Sequence, residues 1–203
     1  MSFWYPFAVA KLNQKECTMI ELNIDSKNAK QLLAKQLAGK LAGAIVLCIG
    51  TEKVVADSIG PRVGSLLNEN MPQPIFVYGM QGANIHAQNI AKAVEIIKQL
   101  HPNRPLLVVD AAVGEQSQIG KVQLSFGNIS PGAATNKHLG KVGDVSIVGI
   151  VAHRDMADFY DNSVEQSILA ERLSQFIATT IVMASKADVD WFYYFCICKV
   201  MLL

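Results

Sequence analysis

IVLCIGTEKVVADSIGPRVGSLL, residues 45–67, passes from a continuous apolar run through a glycine-broken loop into a helical stripe. Ala44 to Ile49 is rich in β-branched residues and too short for an ordinary helix, which predicts a strand covered on both faces. Beyond the loop, Ile59, Val63, Leu66 and Leu67 recur at helical spacing. Pro61 falls in the first turn, where no internal N–H partner is lost. Near the end of the loop stands an acid, Asp57.

The same alternation extends in both directions. Upstream, Asp25 or Ser26 can cap a helix running to about Lys40, with Ala29, Leu32, Leu33, Gln36 and Leu37 on its inner face and Gly39 near its end. Downstream, Pro72 and Pro74 close the first unit. Ile75 to Tyr78 is a short strand, and Ile90, Ala93, Val94 and Ile97 mark a helix that stops at HPNRP. Leu106 to Val109 is a third buried strand ending at Asp110. Lys121 to Phe126 alternates like an exposed or edge strand, and Val145 to Val151 is again almost continuously apolar. From about Asp155 to Lys186 the pattern is helical. Strands alternating with helices at this spacing predict a mainly parallel sheet with helices on both faces, a three-layer α/β/α sandwich. The organisation read from this is an N-terminal extension over residues 1–25, a single domain over 26–186 and an apolar tail over 187–203.

Composition narrows the functional classes. Of 203 residues 51% are hydrophobic and 17% charged, which excludes a disordered chain, and a formal charge of +1 offers no basic excess for nucleic acid or an anionic membrane. Cys17, Cys48, Cys196 and Cys198 do not make a disulfide framework, so a reducing, cytoplasmic compartment is expected. The start lacks a cationic n-region and makes a poor secretion signal. WFYYFCICKVMLL, residues 191–203, is apolar except at Lys199 but shorter than the roughly 18–20 residues that span a bilayer. It is expected to pack on the domain or in a homo-oligomer interface, with a membrane-surface foot or a segment unrelated to the core fold as the alternatives.

In an open α/β sheet, ligands bind beyond the carboxyl ends of the strands. Asp57 and Asp110 both follow buried strands and are expected to face one cleft. Their structural roles would be an N-cap for Asp57 and a loop cap for Asp110. As a pair in a partly dry cleft they could split their titrations, one acting as base while the other stays protonated. The same pair could hold a divalent metal, with His153, after the last core strand, as a third ligand. Gly50 and Thr51 suggest a phosphate loop, but GxxxxGK[ST] and GxGxxG are both missing. There is no GxSxG elbow for a serine nucleophile, and Cys48 lies inside a strand. His86 could contact the cleft or cap a helix. His101 and His138 carry no signal.

Three stretches in order, GTEKVVADSIGPRVG, VVDAAVGEQSQIGKVQL and SPGAATNKHLGKVGDVSIVGIV, resemble the YyaC-like family of proposed spore proteases, sporulation proteins of spore-forming Firmicutes. The resemblance covers roughly residues 44–185. That family is similar to the germination protease, whose strand exit followed by Asp, two residues and Gly-Pro fits Gly50, Asp57, Gly60 and Pro61. Its second acid fits Asp110, and its PG-to-NK loop fits Pro131, Gly132, Asn136 and Lys137. The resemblance implies the hydrolase-like α/β fold of that protease and an atypical aspartic endopeptidase, with Asp57 and Asp110 activating water. Gly50, Thr51, Gly132, Asn136 and Lys137 would hold substrate, without a cofactor. It implies a protein or peptide substrate, such as small acid-soluble spore proteins, and a forespore or spore-core location. A more distant likeness to hydrogenase maturation endopeptidases keeps the metal set Asp57, Asp110 and His153 as an alternative. A catalytically inactive relative that binds a protein partner through the cleft is the competing reading. Met19 is a second candidate for the native start.

Overall fold

The apolar runs become the central strands of a six-stranded sheet. A computed structural model describes residues 19–41, 43–70, 75–127, 142–154 and 160–200, with the backbone helix alone over 187–200. In chain order the elements are β1 (Met19–Asn23), α1 (Ala29–Leu37), β2 (Ile45–Cys48), α2 (Ile59–Asn70), β3 (Phe76–Tyr78), α3 (Ile90–Leu100), β4 (Leu106–Gly114), β5 (Lys121–Phe126), β6 (Val145–His153) and α4 (Val164–Val200). The strands lie in the order β1-β5-β6-β4-β2-β3. β2, β3, β4 and β6 are parallel, whereas β5 runs antiparallel to both β6 and β1.

Strand alternation sorts the core into two layers. On one face Leu107 and Val109 of β4 and Val46 of β2 pack with Leu33 and Leu37 of α1, Val63 and Leu67 of α2, and Phe176 and Ile177 of α4. On the other face Leu106, Val108, Ile45 and Leu47 pack with Ile90, Val94 and Ile97 of α3. This is the expected three-layer α/β/α sandwich. β2 sends the chain through α2 on the first face to β3, and β3 returns through α3 on the second face to β4. The chain leaving β2 thus goes on to β3 on one side, and the chain leaving β4 goes on to β5 and β6 on the other. The gap between the carboxyl ends of these two neighbours is the topological switch point, where such sheets open a crevice.

Several elements differ from the sequence reading. Residues 1–25 do not all lie outside the domain, because Met19–Asn23 form β1 and pair with Lys121–Ser125 of β5. β5 is consequently one place in from the edge, with Val122 and Leu124 fully buried. β4 continues past Val109 to Gly114, since β6 keeps pairing with it after β2 has left the sheet. Asp25 does not cap α1. Its carboxylate pairs with Arg172 of α4, and its own N–H donates to Asn23 Oδ1 at 2.8 Å. α4 starts only at Val164, where Ser163 Oγ accepts the Gln166 N–H at 3.2 Å in the manner of an N-cap, and it continues as helix through residues 187–200. No helix among the described residues is long and apolar enough to cross a membrane.

Candidate active site at the switch point

β2 ends in a tight exit. The Ile49 N–H donates to the Val109 carbonyl at 2.8 Å, the Gly50 N–H to Ile85 at 2.8 Å, and the Thr51 N–H reaches across the loop to the Asp57 carbonyl at 3.0 Å. Gly50 sits at φ +142°, and a Cβ there would stand 2.0 Å from the Asp57 carbonyl oxygen. Glycine is required by that close approach. A second one packs the helix onto the strand, since a Cβ on Gly60 would lie 2.0 Å from the Ile49 carbonyl oxygen. The two glycines let the loop fold back, so that Ala56–Ser58 forms a 3-10 turn running directly into α2. The turn packs against β4, with Cα atoms within 8 Å.

Asp57 lies inside this turn and is half-buried. Its backbone is already helical there, so it is not the free residue ahead of a helix that an N-cap requires. Burial pushes its carboxyl up from the ordinary value to about 6, against the opposing effect of the Thr51 N–H. At neutral pH most of the group is ionised, and a modest fall in pH fills it.

Asp110 is 8% exposed. It is the first residue of β4 beyond the ladder to β2, whose last pair is Cys48 with Val109. Its Oδ1 accepts the Ala111 N–H at 2.8 Å. Alternation places it on the side of Leu106 and Val108, the α3 face, whereas the Asp57 turn leads to α2 on the other face. Both acids thus come after the last pair of the β2–β4 ladder. One is on the loop after β2, and the other is on β4 itself.

His153 does not join them. It is level with Gly114, four residues past Asp110 along β4, or about 13 Å at the rise of a strand. Among the described residues no three His, Cys, Asp or Glu side chains converge in a set able to hold a metal ion. The three-ligand set Asp57, Asp110 and His153 is therefore corrected, because continuation of β4 and β6 carries the histidine away from the acids. His86 serves its own turn: its N–H donates to Asn89 Oδ1 at 2.8 Å and its Nδ1 accepts the Gln88 N–H at 3.3 Å. Cys48 is fully buried, and burial drives its thiol far up from the ordinary range, which removes it as a nucleophile. Gly132, Asn136 and Lys137, with Pro131, lie outside the described residues.

Residues that carried no signal in the sequence hold the site together. Glu52 Oε1 accepts the Gly82 N–H at 2.6 Å, tying the loop after β2 to the loop after β3. Ser58, Arg62, Asn162 and Glu171 connect the Asp57 turn to α2 and α4. The spacing of Ser58 and Arg62 is that of one helical face and could have been read. Their link to α4 spans more than a hundred residues and could not.

Fold and site together define an open, mostly parallel α/β protein with two acids at its switch point. The chain belongs to the family described as "Protein of unknown function (DUF1256)", whose model matches residues 20–183. It is similar to "Uncharacterized protein YyaC" of Bacillus subtilis (strain 168), 37% identical over 128 residues that make up 62% of this chain and 62% of that protein. The chain thus matches less than two thirds of the length of that relative. Among solved structures it is similar to a NiFe hydrogenase maturation protease HycI from Thermococcus kodakarensis KOD1, at 20% identity and a TM-score of 0.48, covering 74% of this chain and 98% of that one.

Proposed function

We propose that this chain is an endopeptidase of the atypical aspartic kind, with Asp57 and Asp110 as its acid and base. The observation that carries the reading is the placement of two acids after the β2–β4 ladder, Asp57 half-buried in the turn that follows β2 and Asp110 buried on β4, and burial raises the Asp57 carboxyl to about 6. A general acid works best with a pKa near the working pH, and desolvation is the usual means of bringing a carboxyl there. Asp110 in its ionised form takes a proton from a water molecule as the water oxygen attacks the scissile carbonyl carbon. Protonated Asp57 gives its proton to the departing amine nitrogen as the C–N bond breaks. The products are a carboxylic acid and an amine. Gly50 and Thr51 shape the strand exit, but their N–H groups are engaged by the Ile85 and Asp57 carbonyls, so the N–H groups proposed to bind the peptide and its developing oxyanion are those of the segment holding Gly132, Asn136 and Lys137.

The substrate proposed is a small acid-soluble spore protein or another sporulation protein, in the forespore or spore core. The motif resemblance to the germination protease supports that choice. The test is incubation of the purified chain with small acid-soluble spore proteins, with fragments read by mass spectrometry. Cleavage by the wild type and its loss by about 10²–10⁴-fold in folded Asp57→Asn and Asp110→Asn variants is expected. Retention of the substrate uncut, with binding unaffected by either variant, would support the inactive partner-binding reading instead.

A further inference from the structure

The turn carrying Asp57 is tethered at both ends. At its start the Val55 N–H donates to Asn162 Oδ1 at 3.2 Å, just ahead of α4. At its end the Ser58 hydroxyl, 3% exposed, donates back to the Val55 carbonyl at 2.6 Å and accepts Arg62 Nε at 3.0 Å. The same guanidinium holds Glu171 Oε2 of α4 at 2.5 Å, and Glu171 Oε1 accepts Gln175 Nε2 at 2.8 Å. A continuous path therefore runs from α4 through Glu171, Arg62 and Ser58 to the carbonyl that closes the turn.

The side chains of Arg62 and Glu171 are 25% and 41% exposed. Pairs this open to solvent contribute little to folding. Their connectivity has a sharper consequence. The guanidinium that meets Glu171 also bonds Ser58, so the ion pair holds in place one of the two partners of the hydroxyl next to Asp57 in the chain, the Val55 carbonyl being the other.

We propose that Arg62 and Glu171 are positioning residues for Asp57: their ion pair, relayed by the Ser58 hydroxyl, fixes the turn so that the carboxyl stays half-buried at the crevice. The inference rests on the reading of Asp57 as the acid of the proposed peptidase, but its test reads the carboxyl itself and needs no turnover.

The experiment is a carbon-13 NMR titration of the full chain labelled at aspartate, with the Asp57 signal assigned by Asp57→Asn. The wild-type midpoint is expected at about 6. Loosening of the turn admits water, so Glu171→Gln, Arg62→Ala and Ser58→Ala are each expected to lower the midpoint by about one pH unit toward the ordinary aspartate value. Arg62→Lys, which keeps the charge but not the fork, is expected to fall between. Circular dichroism and thermal unfolding confirm the fold of each variant, and the small, uncharged Ser58→Ala, for which charge alone predicts no shift, keeps the test available if Arg62→Ala does not fold. A purely coulombic influence would move Arg62→Ala up and Glu171→Gln down. Opposite shifts of that kind, or wild-type midpoints in the folded variants, overturn the proposal. If the midpoints move as expected while Asp57→Asn leaves cleavage intact, the clamp stands and the peptidase reading falls.

Discussion

Asp57 is costly to ionise where it stands. A carboxyl whose folded-state pKa is raised contributes stability that is complete below the unfolded value and is lost as pH rises through the folded one, here between about 4 and about 6. Asp57→Asn should therefore stabilise the fold by about 2 kcal/mol at pH 7.5 and by nothing measurable at pH 3.5, as read by denaturant unfolding at the two pH values. A gain of stability from removing a side chain marks a site kept for something other than folding. Gly50→Ala acts in the opposite sense at either pH. The added Cβ, 2.0 Å from the Asp57 carbonyl oxygen at a φ that L residues avoid, should cost about 3 kcal/mol or more and would show as a lowered unfolding midpoint. Both acids stand out in the sequence because each comes after a continuous apolar run, but the run before Asp110 does not mark a strand end, since β4 continues to Gly114. The cause of the raised pKa was not legible there. Sequence suggested repulsion between paired carboxylates, and the structure supplies burial as the leading cause.

At the scale of the element, the strand missed in the sequence is instructive. MIELN offers only a weak alternation, and nothing in it shows that its partner is β5, about a hundred residues later. Glu21 fixes that pairing. Its carboxylate accepts Gln118 Nε2 at 2.8 Å, Gln123 Nε2 at 2.8 Å and Lys121 Nζ at 2.9 Å. The hydrogen bond from Gln123 leads in holding its pKa at about 2, with Lys121 next. A lowered carboxyl contributes stability above the unfolded value, near 4.5, that disappears as pH falls through the folded one. With a quarter of the side chain exposed, the contribution is about 1–2 kcal/mol. Glu21→Gln should lose that amount at pH 7 and match the wild type near pH 2 in denaturant unfolding. Hydrogen exchange should quicken first in β1. The buried parallel strands were legible because both faces demand apolar residues, whereas helix ends were not, since Asp25 answers to Arg172 rather than to the helix it precedes.

For the molecule as a whole, alternation of strand and helix was enough to predict three layers, but strand order was not written in any local pattern. It is set by long-range pairings that take the chain from β2 to β3 on one side and from β4 to β5 and β6 on the other, which places the switch point between β2 and β4. The PGAATNK loop, to which the resemblance assigns substrate contacts, lies outside the described residues, so the part of the site defined by geometry is the strand exit, the turn and β4. The central claim is that this crevice hydrolyses peptide bonds with Asp57 as the proton donor. Its most direct test is the pH–rate profile of cleavage of small acid-soluble spore proteins. The account predicts that kcat/KM falls tenfold per pH unit above a break at about 6, and that Asp57→Asn lowers cleavage by about 10²–10⁴-fold and removes that break. A rate that stays level from pH 5 to about 8, or an Asp57→Asn variant that cuts as fast as the wild type, would contradict it.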